Sequence, residues 1–338
     1  MKLHLPTLAV ALLTVSFATA GEAKPTGDLA ILPKGATLDE LWNEGDFTEG
    51  VAAGPDGMIY FSDIPFDERP GRVMKLDPAT GKVTVHSADS GKSNGLFFDS
   101  KGQLLASCGA MFGRRALVVI TPDGEVKPLV EKFNGRRLNS PNDLVVHPDG
   151  SIYFSDPRYA GDEKVELDLM SVYRFNPADD SLIRVTTHKQ IEKPNGVHVS
   201  PDGKTLYVAE TNNGTLDVRK KDPNTKLGRM TLNAFRIKKD GTLGKKRVLA
   251  DFGDEVGTDG MSVDVKGNIY AAVRSASRHG IVIYSPQGKE RGYIPTADLP
   301  TNCSFGIGKE SKTLYVTAGK GLYRIRLKVD GFHPSRKK

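Results

Sequence analysis

Cysteine is nearly absent from this sequence. Two occur in 338 residues, Cys108 and Cys303, and their spacing matches no metal-ligand pattern. A disulfide between them is compatible with an exported chain but not dictated by the sequence. Tryptophan occurs once, at Trp42. There is no H-E-x-x-H pair, so the zincin scheme has no motif here. Glycines such as those in "GKGLYR" form neither a P-loop nor a dinucleotide fingerprint. His86, His147, His188, His198, His279 and His333 do not cluster by spacing, so no histidine base or zinc site is legible. His147 and His198 fall inside strands and come nearest to any central site.

Charge of one sign is also scarce. The net charge is +6, and Lys and Arg are scattered apart from Arg336, Lys337 and Lys338. Without interleaved aromatics that end reads as a solvated terminus, and no nucleic-acid partner is expected. Long apolar runs are missing except at the start. There Lys2 precedes an apolar stretch, and Ala18, Thr19 and Ala20 fit a small-x-small cleavage site. The stretch is too short and interrupted for a good membrane span. Residues 1–20 therefore read as a signal peptide, with a secreted or periplasmic mature chain starting near Gly21 and no membrane association after cleavage.

Glycine (36) and proline (20) are plentiful, favouring short strands and many turns. The turns recur within one repeated sentence. It reads "EGVAAGPDGMIYFSDI" from Glu49, "NGLFFDSKGQLLASCG" from Asn94 and "NDLVVHPDGSIYFSDP" from Asn142. It continues with "NGVHVSPDGKTLYVAE" from Asn195, "DGMSVDVKGNIYAAVR" from Asp259 and "FGIGKESKTLYVTAG" from Phe305. Counted from those positions, successive starts are 45, 48, 53, 64 and 46 residues apart. Each repeat reads as strand, tight turn, strand, and a second strand pair lies between repeats. That spacing and content predict an all-β, six-bladed propeller with four antiparallel strands per blade. The last repeat is one strand short. Residues 37–47, "TLDELWNEGDF", are expected to supply the missing outer strand and close the ring, with Trp42 as a packing residue. The expected organisation is signal peptide 1–20, linker 21–36, propeller 37–331 and basic tail 332–338. The "PDG" turns carry one Asp each without a ladder of ligands, so they read as turns rather than calcium loops.

The heads of the repeats form a column: Glu49, Asn94, Asn142, Asn195, Asp259 and Phe305. Five of the six bear side-chain oxygen, and in a propeller such strand starts converge on the central channel. Two carboxylates and several amide oxygens at one focus suit a hard divalent cation better than zinc. Such a cation can polarise a carbonyl and activate water. Asp143 stands where other repeats place Gly, and its role is open between structure and site.

The segment "RRLNSPNDLVVHPDGSIYFSDPRY" is similar to one that marks bacterial gluconolactonases, members of the senescence marker protein, gluconolactonase and luciferin-regenerating enzyme family. "EGV" at Glu49, "PNGV" at 194–197 and "TDGMSVDVKGNIYAA" at 258–272 resemble the other motifs of that family, in its order. The resemblance spans roughly residues 47–327. It implies a six-bladed propeller with one divalent metal in the channel, calcium first, with zinc, magnesium and manganese open. It implies metal ligands at Glu49, Asn142, Asn195 and Asp259, and a role for Asp259 as the base that activates water. Asn94, Asn142 and Arg137 are the candidate substrate contacts. The implied activity is hydrolysis of a sugar lactone such as a gluconolactone, on a small-molecule substrate, by a monomer or dimer. An esterase or phosphotriesterase on the same scaffold and a non-enzymatic binding propeller are the alternatives. After the second-blade hairpin, bacterial relatives often carry an acidic residue and a His, where this chain reads "ASCGAMFGRR".

Overall fold

The computed structural model describes residues 24–220 and 222–335. The expected signal peptide and Arg336 to Lys338 lie outside them. Five four-stranded antiparallel sheets and one four-stranded sheet extended by a short fifth strand are arranged as the six blades of a propeller. Their inner strands, nearest the axis, are Thr48–Ala53, Ser93–Phe98, Leu144–Val146, Pro194–Val199, Thr258–Val263 and Pro300–Phe305. Each packs beside the next, and the sixth packs against the first, which closes the ring. Blade six takes its outer strand, Asp39–Trp42, from the N-terminal side, paired antiparallel to Gly321–Arg326. The closure expected from the short last repeat is present, and Trp42 packs edge-on against Phe61 at 5.2 Å.

Alternation along each strand explains the core. In blade one Val51, Ala53, Ile59 and Phe61 face blade six, whereas Ala52 and Tyr60 face blade two. Successive side chains of a strand point to opposite faces, so one strand serves two interfaces. Six buried clusters result, one between each pair of neighbouring blades. The "PDG" turns are held by their own Asp. Asp56 accepts the Met58 amide at 3.1 Å, Asp149 accepts Ser151 at 2.8 Å and Asp202 accepts Lys204 at 3.1 Å. These are Asx turns, as read from the sequence.

The expected linker carries structure within its described part. Thr26–Gly27 adds a short strand to blade five, and Ile31 and Leu32 are buried between blades five and six. At the other end, residues 331–335 cross the far mouth of the channel. Phe332 donates its amide to Val263 at 2.9 Å, and Ser335 donates to the Phe98 carbonyl at 2.7 Å.

The register corrects the reading of the sixth repeat. Thr258 pairs with Val273 and Met261 with Ala271, just as Pro300 pairs with Ala318 and Cys303 with Val316. The member of the column in blade six is therefore Thr301, not Phe305, which shortens the last interval to 42 residues. Phe305 is core, 5.0 Å from the Tyr270 ring. The sequence alignment followed the chain's apolar pattern and slid four residues, because "PTNCSF" lacks the glycine that marks four of the other five inner strands.

Candidate functional site

The head of each inner strand is irregular. Register shifts fall between Glu49 and Val51, Ser93 and Leu96, Pro194 and Val197, Thr258 and Met261, and Pro300 and Asn302. A bulge of this kind re-aims side chains out of the pleat. Here it falls on the column residues, at the end where the strands converge. In blade three the same place is held by single bonds from Asn142 N to Ser155 O and from Ser155 N to Asp143 O.

The glycine after each column residue follows from close packing. A Cβ on Gly50 would lie 1.9 Å from the Asn94 carbonyl oxygen, and one on Gly196 would lie 2.3 Å from that of Asp259. Blades three and six carry Asp143 and Asn302 in the glycine place, and these two side chains meet across the channel. A Cβ on Gly95 would strike Asp143 Oδ1 at 2.6 Å, and one on Gly260 would strike Asn302 Cγ at 2.2 Å. Glycines in the flanking blades make room for this pair. Val51, Leu96, Leu144, Val197, Met261 and Cys303, one per blade, share with Asp143 and Asn302 a cavity of about 20 Å³. That space holds about one water, so the channel is narrow here.

Glu49, Asn195 and Asp259 are buried, and Asn94 and Asn142 are half-buried. Burial drives the Glu49 carboxyl well above its usual range, and the nearby Asp259 charge pushes it further. Burial also raises Asp259, while Arg274 and the Asn195 amide pull it back. Arg274 Nη1 donates to Asp259 Oδ2 at 3.2 Å. Tyr159 also borders Asp259, and both burial and that charge raise its phenol. The Oδ1 atoms of Asn94 and Asn195 are buried without a hydrogen-bond partner. Two mutually repelling carboxylates beside two unpartnered amide oxygens lack positive charge, and a single guanidinium does not satisfy them all. Among the described residues no three His, Cys, Asp or Glu side chains are grouped to hold a metal. The oxygens gathered here are those of two carboxylates and two amides, a set that suits a hard cation.

Arg137 has other partners. Its Nη2 donates to the Arg114 carbonyl and its backbone amide to Glu166. The guanidinium that meets the carboxylates is Arg274, which the sequence reading missed along with Tyr159 and Asn302. Arg274 was within reach of a second column. It directly follows the strand Ile269–Val273, where the register places Ile64, Pro157 and Gly319 in blades one, three and six. His147 bonds the Gly203 carbonyl, and His198 lies on the far side between Phe97 and Phe332. Cys108 and Cys303 are free and buried in separate clusters.

The pattern of the SMP-30/Gluconolactonase/LRE-like region matches residues 47–320. The chain belongs to that family. A gluconolactonase from Zymomonas mobilis is 26% identical over 324 residues, covering 89% of this chain and 84% of the relative. Among solved structures, a gluconolactonase from Xanthomonas campestris superposes with a TM-score of 0.76 at 30% identity, over 90% of this chain and 95% of that one. A calcium-binding protein, regucalcin, from Agrobacterium tumefaciens gives a TM-score of 0.68 at 21% identity over 90% and 98%, a likeness in fold alone. The family match covers all four candidate ligands, Glu49, Asn142, Asn195 and Asp259.

Proposed function

We propose that this protein is a metal-dependent lactonase that opens a sugar lactone to its hydroxy acid. The observation that carries the reading is the pairing of Glu49 and Asp259, buried and mutually repelling, with the unpartnered Oδ1 atoms of Asn94 and Asn195. Kinship with gluconolactonases directs that site to lactones. Glu49, Asn142, Asn195 and Asp259 would hold a divalent cation, calcium by the all-oxygen donor set, which supplies Lewis-acid polarisation of the lactone carbonyl.

The protein groups do the rest. Arg274 favours the ionised form of Asp259 in spite of its burial. Asp259 then accepts a proton as water adds to the carbonyl carbon. The ring C–O bond breaks on collapse of the tetrahedral intermediate, and the ring oxygen leaves with a proton as a hydroxyl. Asn94 and Asn142, half-buried at the strand heads, would serve as hydrogen-bonding side chains for the substrate. The narrowing of the channel at Asp143 and Asn302 favours entry of substrate and exit of product on the side of the strand heads.

The reading is tested with aldonolactones on chelated protein, on protein reloaded with calcium, and on Asp259→Asn. Hydrolysis that survives both chelation and the substitution at wild-type rate would sink it.

A further inference from the structure

Arg274 has more donors than its partners use. Nη1 alone serves Asp259 Oδ2 and the Pro300 carbonyl, both at 3.2 Å. Phe47 stacks near the guanidinium carbon at 6.0 Å, and the side chain remains 21% exposed. Nε and Nη2 make no hydrogen bond with the described residues. In a guanidinium this edge can grip a carboxylate through two parallel bonds. One edge of the fork is thus anchored by the site, and a second, oriented edge is unfilled.

The surrounding charge favours the same ligand. Lys92 and Lys193 each stand two residues ahead of a column asparagine, Asn94 and Asn195, and both are buried. Lys92 Nζ donates to the carbonyls of Pro65 and Asp67 at 2.6 and 2.8 Å. Lys193 Nζ donates to Asn213 Oδ1 and Thr215 O at 2.6 and 2.5 Å and stands 4.3 Å from the Tyr159 ring centre. All those acceptors are neutral, and neither lysine forms an ion pair with a described carboxylate. Burial holds both amines below their usual range, Lys193 to about 7, so part of their positive charge stays near the column.

Resting on the lactonase reading, we propose that the substrate carries a carboxylate in addition to its lactone ring, and that Arg274 grips it through Nε and Nη2. The expected class is the monolactone of a sugar dicarboxylic acid rather than a neutral aldonolactone. Ring opening itself creates a carboxylate of the same chemistry, so the test must separate the two sources.

Wild type, Arg274→Gln and Arg274→Lys are titrated calorimetrically at saturating calcium with a hexarate, which has two carboxylates, and with a hexonate, which has one. Saturation is checked by calcium titration of each variant. Wild type should bind the hexarate more tightly. Arg274→Gln should weaken the hexarate by about ten- to hundredfold, the worth of a charge-assisted bidentate contact, and leave the hexonate within about threefold. Arg274→Lys, which keeps the charge without the fork, should fall between. Equal weakening of both ligands would assign Arg274 to the carboxylate made by ring opening, and unchanged binding would leave it only as the partner of Asp259. Either result overturns the proposal. Binding needs no turnover, so a failure to hydrolyse any lactone would be seen separately, as failure of the lactonase reading.

Discussion

Asp143 and Asn302 face one another across the channel from opposite blades of the ring and line one small cavity, and the Asn302 amide pulls the Asp143 carboxyl down against its burial. Asn302 is oriented for this because its Oδ1 accepts the Cys303 amide at 2.8 Å, which leaves its NH2 to donate. Asp143 Oδ2 also accepts the Val197 amide at 3.0 Å. Burial still pushes Asp143 up to about 7. Asp143→Ala strands the Val197 N–H and should cost about 1–3 kcal/mol in urea unfolding. Asn302→Ala should cost less. The double variant should fall short of the sum of the two by about 0.5–3 kcal/mol. Strict additivity would mean the two side chains act independently.

The repulsion between Glu49 and Asp259 gives substitutions at Glu49 opposite effects in two states. Glu49→Gln removes one of two close buried charges, so the metal-free protein should gain about 1 kcal/mol, roughly 2 °C in melting temperature. The same change should largely abolish the stabilisation that calcium confers on wild type, which at a hundredfold excess over Kd is about 2.7 kcal/mol. Melting curves with chelator and with calcium test both signs. A variant that is less stable without metal yet still gains stability with it would contradict this account of the site.

The fold was legible because its physics is local and repeated. Each "PDG" turn and each alternating strand carries its own signal, and six copies make the signal robust. The column was legible for the same reason, down to Glu49, Asn94, Asn142, Asn195 and Asp259. Thr301 was missed because blade six replaces the marker glycine with Asn302, so the motif search locked onto the glycine at 306. Arg274 and Tyr159 were missed for a different reason. They come from the segments after the second strands, and their approach to Asp259 depends on how neighbouring blades meet, which no single repeat encodes. Arg137, two residues before Asn139 in the motif, looked better placed in sequence than it is in space.

His198 should set part of the acid sensitivity. Burial pushes its imidazole down to about 4, and its Nδ1 bonds the Val199 carbonyl at 2.9 Å. The unfolded chain would take up that proton near 6.5. The folded state therefore binds fewer protons between those values. Its contribution is fully present above about pH 6.5 and declines as the pH falls toward 4. At most about 3 kcal/mol rides on it. His198→Phe, set between Phe97 and Phe332, should flatten the difference in urea midpoint between pH 7 and pH 4.5. Equal acid sensitivity of variant and wild type would remove His198 from the account.

Gly196 links backbone packing to the site, and a control glycine isolates the link. Gly57 has a φ of +82° and no heavy atom within 4 Å of a built Cβ. Gly57→Ala should cost about 1 kcal/mol through its left-handed backbone alone. It should leave metal binding untouched, because it sits in a turn remote from the column. Gly196 follows Asn195 directly, and its added Cβ would press on the backbone of Asp259 at 2.3 Å. Neither strand can yield without moving a candidate ligand. Gly196→Ala should therefore cost more, about 3 kcal/mol, by the overpacking of a close backbone contact. It should also weaken calcium binding by at least about tenfold, since ligands displaced by a few tenths of an ångström no longer share one focus. Calorimetric titration with calcium and urea unfolding, applied to both variants, separate the two effects. Loss of stability at Gly196 with calcium affinity intact would show that Asn195 and Asp259 do not bind one ion together.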